Sequence, residues 1–121
     1  MDLNSAIQKH AEWKFKFRSA LHDHQTMDST AISKDSNCEL GKWLHCEAAT
    51  LFGKYSSHAR CLSAHAIFHV EAGKVAVHVA EGNQEKVEQM IANGSPFSEA
   101  SKKVSIAIIM ELKGEIGSKA K

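Results

Sequence analysis

Residues 57–81 constrain the fold more than any other stretch. Cys61, His65, Phe68, Ala72, Val75 and Val79 recur there at three- and four-residue steps. That spacing keeps one face of an α-helix turned to a core, and it predicts a long helix from about Ser57 to Glu81, stopped by Gly82-Asn83. A second helical pattern spans residues 3–27, which contain neither Gly nor Pro. Its stripe runs Leu3, Ile7, His10, Phe17 and Leu21, with Trp13 and Ala20 beside it and Asn4 or Asp2 as candidate caps. The polar stretch 28–37, DSTAISKDSN, reads as a break. Cys38 to Leu44 then reads as a short helical turn capped by Asn37 or Ser36. A shorter helix covers Gln84 to Ala92 and ends at Asn93-Gly94. A final one, near Ser98 to Lys113, carries Val104, Ile108 and Leu112. Pro occurs once, at Pro96, and aromatic residues make up only 7%, which disfavours an all-β architecture. The expectation is an all-α, antiparallel four-helix-type bundle with a short extra helical turn carrying Cys38. With 121 residues there is room for one domain, 1–121, with its core at about 3–113 and a frayed tail at 114–121.

Charge and hydropathy remove several classes of function. Fifteen Lys and Arg against fourteen Asp and Glu leave a net charge of +1, without the basic excess of a nucleic-acid binder. No apolar run approaches the roughly 18 residues of a membrane span, so no membrane contact is expected. The N-terminus MDLNSAIQKH lacks the apolar core of a signal peptide, so the expected location is the cytoplasm. Three cysteines, Cys38, Cys46 and Cys61, do not suit a disulfide framework in that setting.

Eight histidines in such a chain point to metal chemistry. In His65-Ala66-Ile67-Phe68-His69 two imidazoles leave one helix face about 6 Å apart along the axis, within reach of one cation. Ala66 stands where a zinc protease has its Glu base, so no metalloprotease or other enzyme is expected. A His-rich chain contains some such pair by chance, and a His on an apolar face is usually a core residue. However, His10 interrupts the stripe of the first helix, which should pack on the helix carrying His65 and His69. The short turn can bring the Cys38 sulfur to the same point. His10, Cys38, His65 and His69 would complete a tetrahedral shell suited to Zn²⁺, closed and therefore fitter for structure or regulation than for hydrolysis. Cys46 and Cys61 read as small buried hydrophobes, His22 and His24 as surface or capping residues, and His45, His58 and His78 as solvated. Trp13 and Trp43 read as core aromatics bracketing the site, and Gly41 as the residue that lets the turn approach a helix.

His10-Ala-Glu-Trp13, then Cys38-Glu-Leu-Gly41-Lys-Trp43-Leu44, then His65-Ala-Ile-Phe-His69 resemble, in order and spacing, the chemoreceptor zinc-binding family. The resemblance covers roughly residues 3–113. It implies a helical bundle binding one Zn²⁺ per protomer through His10, Cys38, His65 and His69. It also implies a cytoplasmic regulatory or sensory module, homodimeric, of the kind that accompanies chemoreceptors or diguanylate cyclases as output partners. Zinc level or oxidation of Cys38 would be the signal. Two other readings are a di-iron, hemerythrin-like oxygen binder and a purely structural zinc-stabilised interaction module. The first needs about five His and bridging carboxylates spread over four helices.

Overall fold

The long apolar stripe produces the element on which everything else is mounted. In a computed structural model, which describes residues 3–108, the helix α6 runs Ser56–Ala80. It is preceded by α1 (Leu3–Ala11), α2 (Trp13–His22), α3 (Ser29–Ile32), a 3-10 turn at Asp35–Asn37, α4 (Glu39–His45) and α5 (Glu47–Phe52). It is followed by α7 (Gln84–Ile91) and α8 (Pro96–Ile106). Among the described residues there is no strand. The α6 helix packs against α2, α3, α4, α5, α7 and α8, so the fold is a helical bundle arranged around it.

The local chemistry explains where the observed boundaries depart from the expected ones. The first helix is interrupted only at Glu12, whose N–H still donates to the Gln8 carbonyl at 3.1 Å. It ends at His22 rather than near residue 27. His24 takes a left-handed conformation (φ 55°), and the Gln25 N–H folds back onto the Ala20 carbonyl at 2.8 Å, closing the helix end. The expected break at 28–37 is partly helical. Asp28 caps α3 by accepting the Ala31 N–H at 3.1 Å, and a 3-10 turn follows. The cap of α4 is neither Asn37 nor Ser36 but Cys38 itself, whose sulfur accepts the Gly41 N–H at 3.3 Å. Asn83 caps α7, and Ser95 caps α8 with Pro96 in its first turn, two residues before the expected start. Asp2, Leu112, the expected end of the last helix at Lys113 and the 114–121 tail lie outside the described residues.

Two apolar clusters form along α6. One gathers Ala6, Leu40, Leu44, Ala48, Cys61, Ala107 and Ile108. The other gathers Phe17, Ala20, Phe68, Ala72, Val75, Ala76, Val79, Val87, Ile91, Phe97 and Ala100. On α6, His65 falls one turn after Cys61 of the first cluster and just before Phe68 of the second. On α1, His10 falls one turn after Ala6. A polar layer therefore separates two apolar ones.

Phe97 tests the larger cluster away from that layer. Its ring lies 5.5 Å from Phe17 and 5.4 Å from Phe68, and the residue is only 2% exposed. Phe97→Ala is expected to cost about 3–5 kcal/mol of stability, read by urea denaturation.

Candidate metal centre

Four side chains from three segments meet in the polar layer. His10 comes from α1, Cys38 from the junction of the 3-10 turn with α4, and His65 and His69 from successive turns of α6. One ligand atom from each lies within 4.8 Å of all the others, the one such group of His, Cys, Asp and Glu side chains among the described residues. The Nε2 of His65 stands 3.1 Å from Nε2 of His10, 3.1 Å from Nε2 of His69 and 3.2 Å from Sγ of Cys38. Sγ lies 3.9 Å from Nε2 of His10. A tetrahedral Zn²⁺ with Zn–N of about 2.0–2.1 Å and Zn–S of about 2.3 Å has N···N edges of about 3.3 Å and S···N edges of about 3.6 Å. These four separations lie within about 0.4 Å of those edges, so the donors could hold such an ion.

Proton bookkeeping strengthens the fit. Nδ1 of His10 is 2.7 Å from the Ala6 carbonyl, and Nδ1 of His69 is 2.8 Å from the Ile32 carbonyl. Carbonyl oxygens only accept, so both Nδ1 atoms carry the proton and both Nε2 atoms present lone pairs. Both lone pairs face Nε2 of His65, which has at most one proton to donate. A cation satisfies all of them together.

Electrostatics keeps the nitrogens in their metal-binding form. Burial holds His10 and His69 below the ordinary histidine range. Burial, aided by the neighbouring imidazoles of His69 and His10, lowers His65 to about 3. Burial also raises the Cys38 thiol, with Asp35 adding to the rise, while the Gly41 and Leu40 N–H groups oppose it. Without a metal the sulfur therefore keeps its proton, and Sγ lies 3.5 Å from the Asp35 carbonyl.

Gly41 has the role its sequence suggests. A Cβ there would fall on the Asp35 carbonyl and stand 3.2 Å from Cε1 of His65. Only glycine lets the start of α4 press on both. The two tryptophans are half-buried, each at the rim of one apolar cluster, with Trp13 under the Lys16 ammonium and beside Phe17.

Other expectations need correction. Cys61 is buried, but Cys46 is exposed because it sits at the joint between α4 and α5. His58 is buried rather than solvated, since the first turn of α6 lies against the end of α4 and its Nε2 donates to the Leu44 carbonyl at 2.9 Å. His78 is half-buried, 3.7 Å from Glu81. His45 is half-exposed but engaged, with Nε2 2.8 Å from Oδ2 of Asp35. His22 and His24 are exposed, as expected. Sequence reasoning missed Asp35 altogether, because a carboxylate in a polar loop obeys no period.

These protonation states predict the pH response. For the metal-free protein, the unfolded chain takes up protons near pH 6.5 while the buried imidazoles resist, so more protons bind to the unfolded state and stability falls with acid. The loss is expected to begin below about pH 6.5 and to extend towards pH 3, at up to about 1.4 kcal/mol per unit for each fully resisting histidine. Denaturation of the chelator-treated protein across that range measures it. Because the imidazoles are already neutral and the thiol is not ionised, Zn²⁺ binding at pH 7 is expected to release about one proton, read from calorimetry in buffers of different ionisation enthalpy.

A model of the chemoreceptor zinc-binding domain matches residues 10–76, a span that opens on His10 and encloses Cys38, His65 and His69. No curated protein and no solved structure matches the chain. The matched span exceeds half of the 121 residues, and the chain belongs to the chemoreceptor zinc-binding domain family.

Proposed function

We propose that this chain is a zinc-binding regulatory module in which His10, Cys38, His65 and His69 hold one Zn²⁺ and Cys38 is the ligand through which a signal acts. The observation that carries the reading is the position of Cys38. Its sulfur is at once a donor in the metal cluster and the N-cap of α4. It is also the only one of the four residues that is not buried. An oxidant such as hypochlorous acid takes two electrons from the thiolate sulfur, giving the sulfenic acid and chloride. A sulfenic sulfur is a poor zinc ligand, so Cys38 would no longer hold the ion, and α4 would lose the link that ties its start to His65 and His69 on α6. The signal would thus pass from a sulfur to the packing of a helix.

The same donor set supports zinc over a di-iron centre, since it contains no carboxylate. No step of this reading is catalytic. The family's regulatory character supports a cytoplasmic role beside a chemoreceptor-like or cyclase-like output. No helix among the described residues is long and apolar enough to cross a membrane. The outward face of α6 exposes Ile67, Val70 and Val77, an apolar strip that a second copy of the chain would cover in a homodimer. The location of the site between two apolar clusters favours a structural contribution from zinc as well. Release on oxidation distinguishes a sensor from a purely structural ion.

The test uses zinc-loaded protein carrying Cys46→Ser, which removes the exposed competing thiol. Zinc release is followed with a chromophoric chelator during hypochlorite titration, and the oxidised residue is identified by mass spectrometry. Release is expected to track oxidation at Cys38, and Cys38→Ala is expected to hold zinc far more weakly before any oxidant is added. Zinc retained after Cys38 is oxidised, or Cys38 left reduced while Cys61 reacts, would overturn the reading.

A further inference from the structure

One nitrogen in the centre lacks a partner. His10 and His69 each place Nδ1 on a backbone carbonyl, whereas Nδ1 of the fully buried His65 has no hydrogen bond. Binding a cation at Nε2 forces the remaining ring proton onto Nδ1, where a buried N–H needs an acceptor. The group that faces it is the carboxylate of Asp35, with Oδ2 3.9 Å away. The same Oδ2 takes the Nε2–H of His45 at 2.8 Å. The three side chains form a line from the surface to the cluster: His45 is 47% exposed, Asp35 21% and His65 0%.

Charge gives an independent reason for a carboxylate there. A Zn²⁺ held by one thiolate and three neutral imidazoles keeps a net charge of +1 in a buried layer, where an uncompensated charge is costly. Asp35 is the residue that brings a negative charge against that shell. It is also bound to the ligand-bearing turn, since its carbonyl accepts the Cys38 N–H at 3.5 Å and packs on Gly41.

We infer that Asp35 is a positioning residue of the metal centre: steered by His45, its carboxylate accepts the Nδ1–H of His65 when Nε2 holds the ion, and it offsets the charge the single thiolate leaves. The inference rests on the four-ligand zinc reading above. Asp35 sets the affinity and the orientation of His65 without touching the metal, and His45 sets the orientation of Asp35 from the surface.

The experiment compares wild type, Asp35→Asn and His45→Gln in the full chain. Zinc affinity is measured by competition with a chromophoric chelator, and the ligand field is read from the visible bands of the Co²⁺-substituted proteins. Metal-free helicity is measured by circular dichroism. Asp35→Asn keeps the size of the side chain and all the backbone contacts of the turn, so metal-free helicity is expected to match wild type. Its zinc affinity is expected to fall about 10- to 100-fold. The Co²⁺ bands are expected to keep tetrahedral intensity but shift, since a weaker partner on Nδ1 makes His65 a weaker donor. His45→Gln is expected to weaken zinc binding in the same direction by a smaller factor. Wild type that fails to bind zinc one-to-one would sink the metal reading itself. Wild type that binds, with Asp35→Asn within twofold of it and unshifted Co²⁺ bands, would overturn the role of Asp35 alone. If Asp35→Asn does not fold without metal, His45→Gln decides, and affinity equal to wild type overturns the inference.

Discussion

The bundle is organised around a repulsion that the polypeptide alone does not resolve. Two imidazoles with their protons committed to the Ala6 and Ile32 carbonyls point lone pairs at a third imidazole 3.1 Å from each. They do so in a layer closed off by apolar clusters on either side. In water each nitrogen would be hydrated. Here one ring proton serves several acceptors, and an unsatisfied buried polar group costs about 1–3 kcal/mol. The metal-free fold carries that cost, and the same geometry could offer a divalent cation four donors. Binding energy would then become stability of the arrangement, by about 2.7 kcal/mol when free metal is a hundredfold above the dissociation constant.

The supports of the layer explain why helices so short persist. The α3 helix has four residues and α4 has seven, well below the length at which an isolated helix is stable. Each is held by the centre. The last residue of α3, Ile32, supplies the carbonyl that orients His69, and Gly73 on α6 leaves so little room that a Cβ would stand 2.8 Å from Cβ of Ser33. The start of α4 is pinned by its capping sulfur, by Gly41 against the Asp35 carbonyl, and at its far end by His58 on the Leu44 carbonyl. Ligand geometry and helix packing are thus one set of contacts.

How much of this was legible follows from the range of each signal. The helix α6 shows in the sequence because burial of Cys61, Phe68, Ala72, Val75 and Val79 repeats with the helical period. His65 and His69 show because they share that period, and His10 because it breaks an apolar stripe. Cys38 and Gly41 show through the short motif they make with Trp43. What did not show depends on contacts between distant segments. His58 has no neighbour in sequence that marks it as buried, and its partner Leu44 lies on another helix. Asp35 faces His45 and His65, ten and thirty residues away. Cys46 fell on the wrong side because residue hydropathy does not register a helix joint.

Cys38 carries opposing influences that make it the adjustable member of the set. The N–H groups at the start of α4 favour a negative sulfur, as helix N-termini do, while burial and the Asp35 carboxylate favour the neutral thiol. In the metal-free state the balance lies with the thiol. With a cation beside the imidazoles the thiolate would be favoured instead, because it would be paired with a positive charge and still capped by the Gly41 N–H. The three buried imidazoles have no such second state in the metal-free chain at neutral pH, since burial holds each of them below the ordinary histidine range. Three of the four donors are therefore fixed in charge at neutral pH, and the one whose charge depends on its proton, Cys38, sits where the chain begins a helix.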